Sequence, residues 1–337
     1  MHEAVTAGAS ADALAEGLPG LICAFRMHPD GLAEELAVDK PIAEQPDSWL
    51  WLHFNLADAR ACRFLKAGVS LPAAARDLLI SADEHQQLNA SGHCLYGVLP
   101  DLVFEFDGAT EEIGFLHFAI TETLIVTGRR RALSAVQEMR KALRGGQKVA
   151  TPATLLETII GFMIDSIDRF SDDVAGRLDR IEESILADDM SEGRRLLGRI
   201  RRTTVRLHRQ LVILRALIQR LELDLCQKLS LRIGTSRLRQ RLDWLDTEIV
   251  SLRDRSHLLQ EEVTIKTAEQ TNRNLHVLAV VTTVFMPASL IAGILGMNVG
   301  GLPFVQDGNG FLWSMAILAG SSAIVLWLLK RSGILRH

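Results

Sequence analysis

The tripeptide GMN at positions 296–298 directly follows a long apolar run and carries groups that suit a cation. Asn298 offers an amide oxygen, and Gly296 and Met297 offer backbone carbonyl oxygens. One such turn is a poor cation site, but the same turn repeated around a rotation axis would form a ring of neutral oxygens. Such oxygens suit the water shell of a hydrated divalent ion. The alternative is a simple helix end, because glycine and asparagine are common C-caps.

Polar side chains also recur along the apolar run before GMN. A set of seven residues advances by three or four positions and therefore shares one helical face. They are Asn272, Leu275, Leu278, Thr282, Met286, Ser289 and Gly293. The polar members could hold water around an ion, and the apolar members could close a pore by dewetting. Alternatively, the hydroxyls of Thr282 and Ser289 donate to the preceding helical turn. The face has no carboxylate or thiol, which argues against a dehydrated zinc site within the run.

His276 is the only ionisable side chain between Leu275 and Leu295. An imidazole at this place could ligate zinc or carry a proton. It lies beside the polar face, at the expected cytoplasmic edge of the run. An interfacial histidine without a role in transport is the alternative that we favour.

Two apolar runs are long enough to cross a membrane. Residues 275–295 and 311–329 contain no Asp, Glu, Lys or Arg. At about 1.5 Å per residue, each spans roughly 30 Å, the thickness of bilayer hydrocarbon. Pro287 need not end the first run, because packed neighbours can satisfy the freed carbonyl. Lysine and arginine flank the two runs, and the loop between them has only Asp307 as a charged residue. The positive-inside rule therefore predicts that both termini are cytoplasmic and that the loop is external.

Three apolar stripes at heptad-like spacing precede the first span. They cover residues 156–185, 197–221 and 238–263, and Ser256 interrupts the third. A polar turn separates the first two, which predicts a hairpin of antiparallel helices. The third continues into the first span without proline or glycine. We therefore expect one long helix that serves as stalk and membrane span.

Opposite charges are concentrated in the two helices of the hairpin. They are Asp172, Asp173, Asp188 and Asp189 in or after the first helix and Arg194, Arg195, Arg199, Arg201, Arg202, Arg206 and Arg209 in the second. One interpretation is an acid–base contact that steers or senses ions. The alternative that we favour is a solvated face that makes ordinary pairs between helices.

The N-terminal part has a different pattern. Short, aromatic-rich or alternating segments at 48–56, 94–106, 112–120 and 122–128 indicate strands, and segments 60–68 and 71–84 indicate helices. The fold class predicted is an α+β membrane protein. Its expected segments are a mobile tail at 1–19, a cytoplasmic α/β domain at 20–150, the helical hairpin at 151–232, the stalk at 233–274 and a two-span transmembrane domain at 275–337.

The composition excludes several classes of function. The net charge of −4 gives no global signal for nucleic-acid binding. The four cysteines form no CxxC pair, so neither a disulfide framework nor a thiolate zinc site is indicated. The first residues lack the basic and apolar regions of a secretory signal.

The segment FMPASLIAGILGMN, followed by a short loop, a last span and a basic tail, resembles the CorA family of divalent metal-ion transporters. The loop sequence NVGGLPF is similar to that of the ZntB zinc-transporter branch, whereas the magnesium branch usually has an acidic, aromatic loop. WLWLHFNL and ARDLLISADEHQQL, in the N-terminal part, also look ZntB-like.

The resemblance implies a homopentamer in the bacterial inner membrane. First spans would line one pore through the face described above, with GMN at its outer mouth, and the stripe at 238–263 supports such an assembly. The transported ion would be Zn²⁺, with Mg²⁺, Co²⁺, Ni²⁺ and Cd²⁺ as further candidates. The ZntB branch implies import coupled to protons. No cofactor and no partner beyond lipid, cations and further copies of the chain are implied.

Two other functions remain open from the sequence. One is a CorA-type magnesium or cobalt channel. The other is a membrane-anchored signalling or scaffold protein, in which the spans would serve only as an anchor. The polar residues in the first span argue against an anchor, which could be uniformly apolar. An enzyme is the weakest alternative, because the sequence has no P-loop, G-x-S-x-G or HExxH motif.

Overall fold

The computed structural model describes residues 18–40, 42, 45, 47–105, 108–187, 193–222, 234–297 and 309–332. The chain divides into two compact units, Met1–Gln260 and Glu261–His337. Several residues named above lie outside the described residues: Asp188, Asp189, Asn298 and Asp307. Most of the expected tail at 1–19 also lies outside them, and the five-segment division stays a prediction.

Seven strands form one mixed sheet in the first unit. They are β1 (Leu21–Met27), β2 (Ala33–Leu36), β3 (Trp49–Asn55), β4 (Gln87–Ser91), β5 (Cys94–Glu105), β6 (Gly108–Ile120) and β7 (Leu124–Arg129). Their order is β2-β1-β3-β7-β6-β5-β4. Among these described strands, only β3 and β7 pair in parallel, with Leu52 opposite Val126. The four strand predictions correspond to β3, β5, β6 and β7, whereas β1, β2 and β4 were not predicted.

Helices cover both faces of the sheet. α1 (Ala59–Gly68) and α2 (Ala73–Ile80) pack on the face that presents Leu52 and Phe54. α3 (Ser134–Arg144) begins against the other face. Sequence reasoning expected the second helix to reach residue 84. It ends earlier because Ser81 is already extended, with ψ of 157°.

The face under α3 contains a buried polar cluster. The Trp51 indole donates a 2.8 Å hydrogen bond to Thr127 Oγ1, and His53 Nδ1 lies 2.8 Å from the same oxygen. Phe25 stacks on Trp51 with ring centroids 5.5 Å apart. Burial lowers the pKa of His53 well below its usual value, and two nearby arginines add to the effect. The imidazole is therefore neutral and belongs to the core.

Asp101 is a buried carboxylate at the start of α3. It is 2% exposed and accepts 2.8 Å hydrogen bonds from the backbone N–H groups of Leu102 and Ala135. The second bond satisfies an N–H in the first turn of α3, which has no partner within the helix. Burial raises the pKa of Asp101 to about 7, although both hydrogen bonds favour the ionised form.

Three long helices follow: α4 (Pro152–Leu186), α5 (Gly193–Arg220) and α6 (Thr235–Leu295). The three predicted stripes are buried. Their buried members are Leu156, Ile160, Met163, Ile167, Phe170, Val174, Leu178, Ile181 and Ile185 on α4, Leu197, Ile200, Leu207, Leu211, Leu214, Ile218 and the following Leu221 on α5, and Leu238, Leu242, Leu245, Ile249, Leu252, Leu259 and Val263 on α6. The amphipathic faces were thus predicted correctly.

Polar contacts join the first part of α6 to both neighbours. Arg255 pairs with Asp179 of α4 at 2.7 Å. His208 of α5 lies 2.7 Å from Asp246. Ser256, the polar residue in the stripe, is fully buried and donates to the Leu197 carbonyl at 3.4 Å. The stripe of α6 is therefore covered within its own chain, and its use as support for an assembly was wrong.

The apolar runs form the expected helices. α6 is 61 residues long and continues through Pro287 to Leu295. α7 spans Gly310–Arg331. These are the two helices of the described chain that are long and apolar enough to cross a membrane. The long stalk helix that runs into the first span is confirmed.

Candidate ion pathway

The predicted pathway residues lie on an uncovered part of α6. The side chains of Leu275, Leu278 and Met286 are 57%, 61% and 64% exposed. Asn272, Thr282, Ser289 and Gly293 are exposed as well. Apolar side chains at this density are stable only when lipid or another protein surface covers them. A single chain brings these residues onto one helix, but it does not enclose a pathway.

Thr282 has a defined hydroxyl orientation. Its Oγ1 donates a 2.8 Å hydrogen bond to the carbonyl of Leu278, one turn earlier. The backbone contact that we considered as an alternative role is therefore present. Thr282 can still line the pathway, because this hydrogen bond uses only the hydroxyl proton and the oxygen lone pairs can still accept. Ser289 makes no such bond with any residue that the structure describes.

Pro287 introduces a further acceptor into the span. Proline has no N–H to donate, so the carbonyl of Thr283 loses its usual helical partner. The helix nevertheless continues to Leu295. The freed carbonyl of Thr283 is therefore a backbone acceptor one residue after Thr282.

The first span ends immediately before GMN. Gly296 donates its N–H to the Ala292 carbonyl at 2.9 Å, and Met297 donates to the Ile294 carbonyl at 3.3 Å. Neither residue has a left-handed backbone. A β carbon at 296 would lie 3.0 Å from the Ala292 oxygen, so glycine permits this close approach. The described part of the turn thus lacks the left-handed residue of a glycine C-cap.

His276 is exposed and lies one turn after Asn272 on α6. Its role in ligation or proton transfer stays a prediction. Among the described residues, no group of three or more His, Cys, Asp or Glu side chains converges where a metal ion could be held.

The arginine-rich face of α5 is solvated, as the favoured alternative expects, but no ion pair joins it to the acidic residues of α4 in the part of the chain that the structure describes. Asp173 pairs at 2.6 Å with Arg177 of its own helix. Glu111, on β6, accepts from Arg177 at 2.9 Å and lies 3.8 Å from Arg199 of α5. The acidic partner of Arg199 is therefore a strand residue. Sequence reasoning missed Glu111 because it lies 66 residues from Arg177 along the chain.

Comparisons with known proteins agree on one family. The family model described as "CorA-like Mg2+ transporter protein" matches residues 46–331. The divalent cation transporter CmaX of Pseudomonas aeruginosa is 26% identical over 85% of this chain and 87% of its own length. The zinc transport protein ZntB of Yersinia enterocolitica is 24% identical over 86% of this chain and 88% of its own length.

Solved structures show the same fold. The full-length CmaX structure is 24% identical, with a TM-score of 0.73 over 94% of this chain and 98% of that chain. The CorA magnesium transporter of Methanocaldococcus jannaschii is 19% identical, with a TM-score of 0.68 over 93% of this chain and 99% of its own. Because the family model matches well over half of the residues, the chain belongs to the CorA family and is a divalent cation transporter, not an enzyme.

Proposed function

We propose that the chain imports Zn²⁺ across the bacterial inner membrane as a homopentamer, with coupling to protons. First spans from five copies line the pore, and Gly296, Met297 and Asn298 surround its outer mouth. The similarity to ZntB proteins and the NVGGLPF loop support zinc. The ion passes with its water shell, because hydroxyl, amide and carbonyl oxygens line the proposed face.

The orientation of the Thr282 hydroxyl is the observation that carries this proposal. Its proton is donated to the helix, so the oxygen offers lone pairs to water or to an ion. Rotational symmetry would turn this single acceptor into a ring at one level of the pore. Exposed Leu278 and Met286 would form apolar rings on either side of it. Such alternation gives water-holding levels and levels that close by dewetting.

Purified protein in liposomes tests the function. We expect Zn²⁺ uptake to exceed Mg²⁺, Co²⁺ and Ni²⁺ uptake, and an inward proton gradient to increase it. The mass of the detergent-corrected complex, measured on the same preparation, should be that of five copies. A monomer or dimer, or equal zinc uptake in liposomes without protein, would contradict the proposal.

A magnesium or cobalt channel is the second candidate, and the name of the matching family model favours it. The same experiment separates the two candidates. A channel would carry Mg²⁺ or Co²⁺ at least as well as Zn²⁺, and its flux would not respond to a pH gradient.

The proposed topology gives a direct labelling prediction. Cysteine at 307 should react with an impermeant maleimide in intact cells, because the loop carries no lysine or arginine and is placed outside. Cysteine at 337 should react only after the cells are opened. The reverse labelling pattern would contradict cytoplasmic termini.

A further inference from the structure

A charged groove lies between β6 and α5, and ion transport gives it no role. Its volume is about 470 Å³. We define the arginine groove by Arg199, Arg202 and Arg206 of α5 and by Thr110 and Glu111 of β6. All five residues belong to the first unit. A volume of this size lies within the range of roughly 300–1,000 Å³ that is usual for small-molecule sites.

The three arginines form a continuous row on α5. Their spacing of three and four residues places them on successive turns of one face. All three are exposed. Like charges at these spacings repel and destabilise an isolated helix. A bound anion would relieve that repulsion, whereas apolar cover would increase it.

The carboxylates of the groove are already in contact with other groups. Glu111 accepts from Arg177 at 2.9 Å through one oxygen and from Thr203 at 3.3 Å through the other. Glu112, which also lines the groove, pairs with Arg131. Arg131 lies 3.8 Å from Glu105, the third lining carboxylate. These acids therefore pair mainly with two guanidiniums that do not line the groove, and Glu111 also lies 3.8 Å from Arg199.

Positive charge is in excess after these pairs are counted. The three groove arginines together with Arg131 and Arg177 give five positive charges. Three glutamates and Asp173, which pairs with Arg177 at 2.6 Å, give four negative charges, which leaves a net charge of +1. Arg202 and Arg206 make no ion pair or hydrogen bond with any residue that the structure describes. Arg206 follows Arg202 by four residues, so the two lie about 6 Å apart along the helix axis, slightly more than one turn.

We propose that the arginine groove binds an anion with two or more adjacent phosphate groups. A guanidinium is planar and can donate two parallel hydrogen bonds to one phosphate. Arg202 and Arg206 would each bind one phosphate, and Arg199 would add charge at the end of the row. The shared chemistry is that of clustered phosphates, either in a free polyphosphate or in a lipid headgroup.

Calorimetric titration of the full chain in dodecyl maltoside, in buffer without divalent cations, tests this proposal. Tripolyphosphate stands for the free anion, and glycerol 1,3-bisphosphate stands for a headgroup with two phosphates. We expect tripolyphosphate to bind at least about tenfold more weakly to Arg202→Gln/Arg206→Gln than to the original chain, because two charge-assisted contacts are lost. The matched control, Arg194→Gln/Arg220→Gln, removes the same charge from the ends of α5 and should change the affinity less than about twofold.

A third variant moves the affinity in the opposite direction. Glu112→Gln removes a negative charge from the groove and should tighten tripolyphosphate binding. Stronger binding of tripolyphosphate supports a free anion as the occupant, and equal or stronger binding of glycerol 1,3-bisphosphate supports a headgroup with two phosphates. No heat of binding at about 1 mM of either probe overturns the proposal. An equal loss of tripolyphosphate affinity in the control variant also overturns the proposal. It is overturned as well if neither probe binds and the double variant has a different assembly mass, because the groove would then contact another copy of the chain.

Discussion

Replacing Asn298 with alanine should lower zinc uptake at least about tenfold, while the fold and the assembly stay intact. The change removes amide oxygens at the proposed outer mouth of the pore. Each water-mediated contact contributes on the order of 1 kcal/mol, and rotational symmetry multiplies the loss. Asn298→Asp should instead bind the cation more tightly and release it slowly, because several carboxylates would lie close together. Zinc flux into liposomes, at equal content of assembled protein, is the measurement.

Asn298→Gly distinguishes the ring from a simple helix end. If residue 298 only terminated the helix, glycine would be the mildest substitution, since it adopts a left-handed backbone without strain. Under the ring hypothesis glycine is as harmful as alanine, because both lack the amide. Near-normal flux in the glycine variant would reject the ring.

The second large effect concerns the pH dependence of stability. The pKa of Asp101 is about 7 in the folded chain, against an ordinary value of 3.8. A raised folded-state pKa contributes stability that is complete below the unfolded pKa and is lost as the pH rises through the folded pKa. We therefore expect Asp101 to reduce the free energy of unfolding by about 2–3 kcal/mol between pH 5 and pH 8. For a unit of this size, that corresponds to a fall in Tm of roughly 5–10 °C.

Asp101→Asn should remove this part of the pH dependence. Asparagine stays neutral, but its amide nitrogen cannot accept one of the two backbone hydrogen bonds. That loss costs about 1–3 kcal/mol at every pH. The variant should thus be clearly less stable than the original chain at pH 5, and the difference in Tm should shrink toward pH 8. Thermal unfolding followed by tryptophan fluorescence measures this, with exposed Asp77→Asn as the control. A variant with an unchanged pH slope would contradict the role of Asp101.

Much of the helical architecture could be predicted, because apolar residues that recur every three or four positions mark the helix face that points inward. Every apolar member of the three stripes is buried. The partner of a stripe could not be predicted in the same way. The α6 stripe has heptad-like spacing, but α4 and α5 of the same chain cover it, as the contacts of Arg255 and His208 show. Periodicity describes a face, and it carries no information about what packs on that face.

The strands that sequence reasoning missed have identifiable physical reasons. β2 and β4 are the two edges of the sheet. Their sequences, AEEL and QLNAS, are polar, because one side of an edge strand faces solvent. The two glutamates of β2 also hinder pairing with other chains. β1 is interrupted by Arg26, which is 6% exposed and pairs with Glu34 at 3.1 Å. α3 did carry a signal, the buried series Val136, Met139 and Leu143 at helical spacing.

The candidate site, too, could be predicted only in part from the sequence. The polar face of the first span follows from spacing alone, since all of its members lie on one helix. The orientation of the Thr282 hydroxyl could be stated only as one of two alternatives. The contacts of Glu111 join β6 to α4 and α5 through residues 66 and 92 positions away. Such contacts depend on the tertiary fold, which local patterns do not determine.

The α6 stripe is covered by helices of its own chain, and this has a consequence for biogenesis because the chain is synthesised from its N-terminus. Most of the stripe, from Leu238 to Leu259, belongs to the first unit and precedes the apolar residues that begin at Leu275. Domains fold as units during synthesis, with the N-terminal one first. The ribosome therefore completes the sequence of this core before it makes either span. Each newly made chain can therefore reach the membrane with its large unit already folded. Membrane insertion and association with other copies would then be late steps of biogenesis.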